Sequence, residues 1–313
     1  MIWFEILVLI ALLLFLVGLL TAYIFLRVAA RRLNPQRYIG ASVLGPSPRA
    51  KYREEIAAST DFARSLPSER LTISAEDGIS LSARLILPEN PKRCVLLFHG
   101  FRSSPERDFN IMIPFLYEND CALLLVDARA HGQSGGIYMT YGVMEGRDCV
   151  LWTKELQKRL PALPLFIYGT SMGASAVMFA ADKELSPTVK GAIADCGFTS
   201  PHAILAFSWK RKMKSSPVTI MPFISVLIRL VCGYNPKVCV KDSLKNASIP
   251  YLFIHGTEDK TVPYRMSVEN SAACRSAHKL LLIEGGEHCT NCFAARNEYC
   301  AKILRFFSEA ESQ

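Results

Sequence analysis

The pattern of hydrophobic and polar positions divides the chain into an apolar N-terminal stretch and a long region of short alternating elements. No charged residue occurs from Ile6 to Leu26, where Leu, Ile, Val and Phe dominate. Roughly twenty apolar residues at about 1.5 Å each span a hydrocarbon core of about 30 Å. A cleaved signal peptide has a basic start and a shorter apolar run. The pattern therefore predicts an uncleaved transmembrane helix and its basic flank over residues 1–30.

The residues that follow this span predict its orientation. No basic side chain precedes it, and four arginines come soon after it: Arg27, Arg31, Arg32 and Arg37. Because basic residues favour the cytoplasmic side, we expect the rest of the chain to face the cytoplasm from a single-pass anchor in the cell membrane. Residues 31–67 are expected to form a juxtamembrane linker with a docking helix, since Tyr52 to Phe62 has helical character.

From residue 68 onwards the pattern is that of one α/β domain, expected to cover residues 68–313. Leu71 to Ser74 and Leu81 to Leu87 alternate across Asp77-Gly78, which predicts an antiparallel hairpin. Beyond it, strand-like apolar runs alternate with helical stretches. Such alternation predicts a mostly parallel sheet with helices on both faces.

One segment, about residues 198–247, is too long for a plain crossover helix and is expected to be a cap inserted over the sheet. Its residues Lys210, Arg211, Lys212 and Lys214 form a basic cluster, and Pro217 to Leu230 is apolar. An apolar lid suits an acyl chain, and cations suit an anionic head group or a bilayer surface. A solvated basic face with a lid helix packed on the core fits the pattern equally well. Nucleic-acid binding is disfavoured, because no recognisable binding module accompanies the charge.

The motif Gly169-Thr170-Ser171-Met172-Gly173 carries the most specific chemistry in the chain. An apolar strand-like run, Leu165 to Tyr168, precedes it, and a helix-favouring run, Ala174 to Lys183, follows it. This strand–turn–helix setting is that of a nucleophile elbow, in which the central residue has a strained, positive φ. Ser171 is therefore the predicted nucleophile.

A serine nucleophile needs a base and an orienting acid, which in this type of site follow it along the chain as acid and then histidine. Asp259 follows the predicted strand Tyr251 to Gly256, and His288 follows the strand that begins at Leu280. We predict Asp259 as the acid and His288 as the general base. Glu258 and Asp195 remain alternative acids.

The oxyanion formed during acyl transfer needs backbone amides that already point at it. One is expected at Met172, directly after the nucleophile. The other is expected at Phe101, in the loop His99 to Arg102 after the strand Cys94 to Phe98. His99 itself is expected to shape this turn.

Together these motifs resemble the α/β-hydrolase superfamily over roughly residues 70–310, especially its membrane-anchored, esterase- and lysophospholipase-like bacterial branch, grouped with serine aminopeptidase-like hydrolases. The resemblance rests on His99-Gly100, Asp127 to Gly136, the Gly169–Gly173 motif, Asp259 and His288. Ala130 replaces a glycine that is frequent in the second motif. The resemblance implies an α/β-hydrolase fold with a mostly parallel eight-stranded sheet, and hydrolysis of esters, thioesters or amides without a cofactor.

The expected function is that of a membrane-anchored serine hydrolase that cleaves carboxylic esters or thioesters, with a lysophospholipid or monoacylglycerol as the favoured lipid substrate. A serine aminopeptidase-like peptidase and a catalytically silent, membrane-tethered binding module are the alternatives. No cofactor and no metal are predicted, and Cys289 and Cys292, a C-x-x-C pair, are interpreted as plain thiols at a loop–helix junction. The sequence leaves the oligomeric state open.

Overall fold

A computed structural model describes residues 1–32 and 48–312 of the chain. Its centre is a single eight-stranded sheet with the order β1-β2-β4-β3-β5-β6-β7-β8. The pairs β1–β2 and β2–β4 are antiparallel, and all other pairs are parallel. The strands are β1 (Ser68–Ser74), β2 (Ser80–Ile86), β3 (Arg93–Phe98), β4 (Cys121–Asp127), β5 (Leu165–Thr170), β6 (Val189–Asp195), β7 (Tyr251–Gly256) and β8 (His278–Ile283). The predicted fold class is confirmed.

Helices cover both faces of this sheet, and each face has its own apolar core. Such two-sided cover explains why the central strands are buried along their whole length rather than alternating. The helices are α1 (Ile2–Ala30), α2 (Arg53–Ser65), α3 (Pro105–Asp108), α4 (Met112–Glu118), α5 (Val143–Arg159), α6 (Met172–Phe179), α7 (Pro201–Met213), α8 (Met221–Cys232), α9 (Val240–Leu244), α10 (Arg265–Ala273), α11 (Asn291–Ala294) and α12 (Arg296–Glu311).

The opening hairpin is formed by β1 and β2 in the predicted place. Ser74 pairs with Ser80 and Ser68 with Ile86, so the register closes around the turn at Asp77-Gly78. Gly78 has a φ of +78°, a left-handed conformation that costs glycine little. The hairpin forms the antiparallel edge of the sheet, far from the parallel strands that carry the candidate chemistry.

The N-terminal helix α1 is long and apolar enough to cross a membrane, by its length and composition. Most of its first half is exposed, whereas Ala22, Leu26 and Ala30 are buried against the rest of the chain. Its neighbour is the cap helix α8, where the ring of Phe223 lies 5.5 Å from that of Phe15, centroid to centroid. A side chain at Gly18 would collide with the Phe223 ring, at 2.9 Å. The helix therefore packs closely on the cap.

The segment between α1 and the sheet is described from residue 48 onwards, so Arg37 and the start of the expected linker lie outside the described residues. A short 3-10 turn, Pro48–Tyr52, leads into α2. The Tyr52 ring stacks on Phe293 at 4.2 Å between centroids. At the end of α1, the Arg32 guanidinium donates to the carbonyls of Gly132 and Ser134 at 2.6 and 2.5 Å. Both ends of the linker are thus held against the α/β domain.

The expected cap segment lies between β6 and β7 and contains three helices, α7, α8 and α9. Ser200 caps the first of them, because its side chain accepts a hydrogen bond from the Ala203 amide and Pro201 occupies the first turn. Trp209 of α7 packs edge-on against Phe25 of α1, with 5.2 Å between ring centroids. The cap therefore bridges the α/β domain and the N-terminal helix.

Candidate active site

The turn between β5 and α6 has the geometry of a nucleophile elbow. Ser171 stands between the two elements with φ +56° and ψ −115°, a strained conformation for a residue with a Cβ. A side chain at Gly169 would lie 2.2 Å from the Gly173 carbonyl oxygen, and one at Gly173 would lie 1.8 Å from that of Phe98. The two glycines are therefore required by close packing, and the positive φ expected at Ser171 is present.

Three predicted residues meet at the carboxyl ends of the parallel strands, the edge where open α/β sheets bind ligands. The Ser171 hydroxyl oxygen lies 2.9 Å from Nε2 of His288. Nδ1 of His288 lies 2.6 Å from Oδ2 of Asp259. Ser171 follows β5, Asp259 follows β7 and His288 follows β8, so residues 117 positions apart in sequence come into hydrogen-bond contact. This chain of hydrogen bonds is the arrangement in which a histidine removes the proton of a serine.

The carboxylate of Asp259 is buried and fixed from several sides. Its Oδ1 accepts hydrogen bonds from the amides of Thr261 and Val262 at 2.7 and 2.8 Å. Its Oδ2 also lies 3.1 Å from Nε2 of His255, whose other ring nitrogen contacts Ser267. Burial favours the neutral acid, but the charge of His288 and these hydrogen bonds outweigh it and lower the pKa of Asp259 below its ordinary value.

The pKa of the His288 imidazole changes in the opposite direction. Burial disfavours the imidazolium of His288, but the adjacent Asp259 carboxylate overcomes this and raises the pKa of His288 well above its ordinary value. Asp259 therefore makes the ring a stronger base, and its charge would stabilise an imidazolium at His288.

The two alternative acids lie elsewhere. Glu258 is exposed, next to the buried Asp259. Asp195 is buried but accepts hydrogen bonds from the Asn291 amide nitrogen and the Tyr299 hydroxyl, both at 2.6 Å. Burial raises the pKa of Asp195 to about 6. Asp195 thus links the end of β6 to the C-terminal helices rather than orienting His288.

The two amides predicted to bind an oxyanion lie at the elbow. Met172 is the first residue of α6, and the first amides of a helix have no acceptor within it. Phe101 directly follows Gly100, where an added Cβ would come within 3.0 Å of the Ser171 Cβ. The loop that carries Phe101 therefore packs on Ser171. The role of these amides stays a prediction.

This loop is held in place by a carboxylate, Asp108, which the sequence analysis did not identify. Asp108 is buried, and its Oδ2 accepts a hydrogen bond from the Gly100 amide at 2.6 Å. Its Oδ1 accepts from the Arg49 guanidinium at 2.6 Å and from the Ser103 hydroxyl. Burial opposes the charge of Asp108, but Arg49 prevails and lowers its pKa. Neither residue belongs to a motif, and they lie 59 positions apart, so no local signal connected them.

The motif Asp127 to Gly136 has a structural role. Arg129 is buried and forms two hydrogen bonds to Asp148, at 2.8 and 2.6 Å. An added Cβ at Gly132 would lie 2.3 Å from the Asp127 carboxyl carbon. Ala130 has a φ of +60°, which explains why a glycine suits this position. His99 accepts the Ala128 amide at 3.1 Å and helps to join this turn to the loop of Gly100.

The cysteine next to His288 has an unexpected neighbour. Strand β6 ends at Asp195, and Cys196 follows it with a φ of +48°. Its sulfur lies 3.7 Å from that of Cys289. Cys292, the partner of Cys289 in the C-x-x-C motif, lies on α11. The sequence motif therefore did not identify the thiol that meets Cys289.

The chain is similar to several known proteins. The family model described as "Serine aminopeptidase, S33" matches residues 89–240. The protein YqkD of Bacillus subtilis is 25% identical over 234 residues, which cover 73% of this chain and 75% of that protein. The membrane protein YNL320W of Saccharomyces cerevisiae is 22% identical over 223 residues, covering 70% of this chain and 72% of its own. Both are described as uncharacterized.

Among solved structures, the esterase Pf2001 of Pyrococcus furiosus superposes with a TM-score of 0.63 at 22% identity. The match covers 86% of this chain and 96% of the esterase. At this level of identity the likeness concerns the fold alone. The chain has the α/β-hydrolase fold, which is the fold of the superfamily that its motifs resemble.

Proposed function

We propose that this protein is a membrane-anchored serine hydrolase that cleaves carboxylic esters or thioesters through an acyl-enzyme at Ser171. The observation that carries the proposal is the continuous chain of hydrogen bonds from the Ser171 hydroxyl through His288 to Asp259. A serine hydroxyl is a weak nucleophile until an adjacent base accepts its proton. Here the base is in contact with the hydroxyl, and the acid that orients it is buried and fixed.

The reaction has two halves. Ser171 attacks the substrate carbonyl while His288 takes the hydroxyl proton, and the Met172 and Phe101 amides stabilise the oxyanion. His288 then protonates the leaving alcohol or thiol, which departs and leaves an acyl ester on Ser171. In the second half, His288 activates a water molecule in the same way, and the acid is released with the serine restored. No cofactor enters this sequence of steps.

The apolar cluster above the elbow supports a substrate with an apolar acyl part. This cluster joins Met172 and Phe198, beside the nucleophile, to Ile224 of the cap and Leu26 of α1. Ser171 itself is only 5% exposed, so water has little access to it. An acyl chain lying among these side chains would make apolar contacts like those that the side chains make with one another. A polar substrate in the same place would lose its hydrogen bonds to water, which costs free energy. A lysophospholipid or a monoacylglycerol meets this requirement.

The position of the cap relative to α1 supports action at a membrane. Phe15 lies near the middle of the apolar stretch, and the α8 residue Phe223 packs on it. If α1 spans a bilayer, this contact brings the cap to the hydrocarbon and lets a lipid approach the site from the membrane. The basic residues after α1, which include Arg31 and Arg32, favour a cytoplasmic domain.

Activity-based labelling tests the serine mechanism directly. The full chain in detergent should react with a fluorophosphonate probe, and Ser171→Ala should abolish the labelling. Ser216→Ala, which removes an exposed hydroxyl from the cap, serves as the matched control and should label like the wild type. Undiminished labelling of Ser171→Ala would overturn the proposal. A series of p-nitrophenyl acyl esters then tests the acyl preference.

A peptidase that removes N-terminal residues is the second candidate, and the description of the matching family model favours it. Such a site needs a carboxylate that binds the substrate amine. The cap segment, residues 198–247, is rich in Lys and Arg and contains one acidic residue, Asp242. Turnover of aminoacyl anilides in preference to acyl esters would favour the peptidase. A chain inert to both substrates and to the probe would favour a binding module.

A further inference from the structure

Two thiols and the candidate catalytic imidazole lie together behind the nucleophile. The ligating atoms of Cys196, His288 and Cys289 all lie within 4.8 Å of one another. Both cysteines are buried, and His288 is partly buried. We call these three residues the thiol–imidazole cluster. It is assembled from the end of β6 and the loop after β8, so the sheet fixes both sides of it.

The spacing within this cluster suits a tetrahedral metal ion. Zinc binds cysteine sulfur at about 2.3 Å, and two such sulfurs in tetrahedral geometry lie about 3.8 Å apart. The sulfurs of Cys196 and Cys289 lie 3.7 Å apart. Cys196 and Cys289 have φ values of +48° and +57°, so tertiary structure holds both in a conformation that cysteine rarely adopts. The sulfur pair is therefore already positioned for a shared ion.

We propose that Cys196, Cys289 and His288 form a binding site for a thiophilic divalent ion of the zinc class, and that an ion bound there inhibits the hydrolase. Two thiolates and one imidazole form a donor set typical of zinc, while calcium and magnesium require oxygen ligands. Each thiol gives up its proton to solvent when it binds the ion. The remaining coordination position is left to water.

Inhibition follows from the two hydrogen bonds of His288. Nε2 faces Ser171, and Nδ1 faces Asp259. An ion bound to Nε2 removes the base from the nucleophile, while an ion bound to Nδ1 separates the ring from its orienting acid. Whichever nitrogen is used, one of the two hydrogen bonds required for proton transfer is lost. The inhibition depends on the proposed hydrolase function, whereas the binding of the ion does not.

Titration of the full chain in detergent with Co²⁺ tests the binding part. Cobalt is a spectroscopic substitute for zinc, and a site with thiolate ligands shows sulfur-to-metal charge-transfer bands together with the d–d bands of tetrahedral coordination. We expect both, with one equivalent bound and then displaced by Zn²⁺. Their absence at saturating Co²⁺ would overturn the site, and this result needs no activity measurement.

Variants assign the ligands. Cys196→Ser and Cys289→Ser should each weaken Zn²⁺ binding by more than about 100-fold, beyond the effect of changing a residue outside the coordination sphere. Cys292→Ser is the matched control, because Cys292 is a buried thiol of the same C-x-x-C motif outside the cluster, and it should bind like the wild type. Equal binding by all three variants would overturn the assignment. A thermal unfolding transition close to that of the wild type shows that each variant is folded.

Inhibition is measured on the wild type alone, so it does not depend on the folding of a variant. Buffered Zn²⁺ should abolish fluorophosphonate labelling of Ser171, and a chelator should restore it fully. Recovery with a thiol reductant but not with a chelator would show that Cys196 and Cys289 had been oxidised to a disulfide, which would contradict the metal site. Labelling unaffected by bound Zn²⁺ would refute the inhibition. A wild type that is never labelled would instead refute the proposed function, while the cobalt spectrum still tests the site.

Discussion

Two regions of the molecule are stabilised by different interactions: the rim of the sheet, and the α1–cap region, which consists of α1 and the cap helices α7 and α8. At the rim, Ser171, His288 and Asp259 are placed by hydrogen bonds of 2.6 to 2.9 Å. In the α1–cap region, contacts are mainly between apolar side chains, such as Phe223 with Phe15 and Trp209 with Phe25. Hydrogen bonds depend strongly on direction and distance, whereas apolar packing depends mainly on buried area.

From this difference we expect the rim to determine whether the proposed reaction occurs, and the α1–cap region to determine which substrates are preferred. A small displacement at the rim breaks proton transfer for every substrate, because catalytic geometry tolerates little error. For the proposed acyl substrates, a change of side chain in the α1–cap region is expected to alter how well the acyl chain packs, at a cost that scales with the apolar area lost. We therefore expect variants at the rim to lose activity on all esters, and variants in the α1–cap region to lose activity selectively on long-chain esters.

The largest effect is expected at the orienting acid. Asp259→Asn should lower kcat/KM by about 10⁴-fold, because an amide cannot hold the imidazole in the required tautomer or stabilise its cation. The loss should be equal for short and long acyl esters. Steady-state kinetics with p-nitrophenyl esters measure it. Glu258→Gln, the exposed neighbour, is the control and should stay within about twofold of the wild type, as expected for a surface substitution. Nearly normal activity of Asp259→Asn would contradict the proposed role of Asp259 in orienting His288 and stabilising its cation.

A smaller loss of kcat, again for all substrates, is expected from a change at Asp108, which holds the loop that contains Gly100 and Phe101. Asp108→Asn weakens the acceptor of the Gly100 amide and removes the carboxylate charge that pairs with Arg49. We expect kcat to fall by about 10- to 100-fold with little change in KM, less than the loss of an entire oxyanion donor. Asp120→Asn, which removes a surface charge paired with Lys92, is the control. A change in KM alone would show that Asp108 acts on substrate binding instead.

The pH dependence of kcat/KM tests the coupling of His288 to Asp259. Only the neutral ring accepts the Ser171 proton, so activity should fall about tenfold per pH unit below the pKa of His288. Because this pKa is raised above its ordinary value of 6.5, the acid limb should lie above pH 6.5. In Asp259→Asn the carboxylate charge that raises the pKa of His288 is absent. The acid limb of its residual activity should therefore lie at a lower pH than that of the wild type. An unchanged limb in that variant would contradict the coupling.

The smallest effect on activity is expected in the α1–cap region, and it should be selective for long-chain esters. Phe223→Ala removes the ring that packs on Phe15 and over Gly18. We expect KM for long-chain esters to rise about tenfold, the equivalent of about 1.4 kcal/mol of lost packing, while short-chain esters are turned over as before. Phe115→Ala, on α4 and remote from the cap, is the control. An equal loss on all chain lengths would show that the cap contributes to the reaction itself.

Local patterns were sufficient where a function depends on neighbouring residues. The Gly169–Gly173 motif predicted the strained turn at Ser171, because both glycines and the turn lie within five positions. The apolar run after Glu5 predicted α1, and the Asp77-Gly78 turn predicted the hairpin. Asp259 and His288 were found because parallel strands bring their carboxyl ends to the same edge. In each case the chemistry follows from short-range sequence and one topological rule.

Contacts between distant residues were decided by the tertiary structure. The sequence by itself determined the sheet, the elbow and the residues of the candidate triad, since periodicity and turn residues specify elements and their order. It did not reveal that Arg49 reaches Asp108 behind the Gly100 amide, or that Phe223 packs on α1. The C-x-x-C spacing in the sequence pairs Cys289 with Cys292, whereas in the folded chain the sulfur of Cys289 contacts that of Cys196, 93 positions away. Such pairs carry no local pattern, because only the packing of the whole sheet and its helices sets their distance.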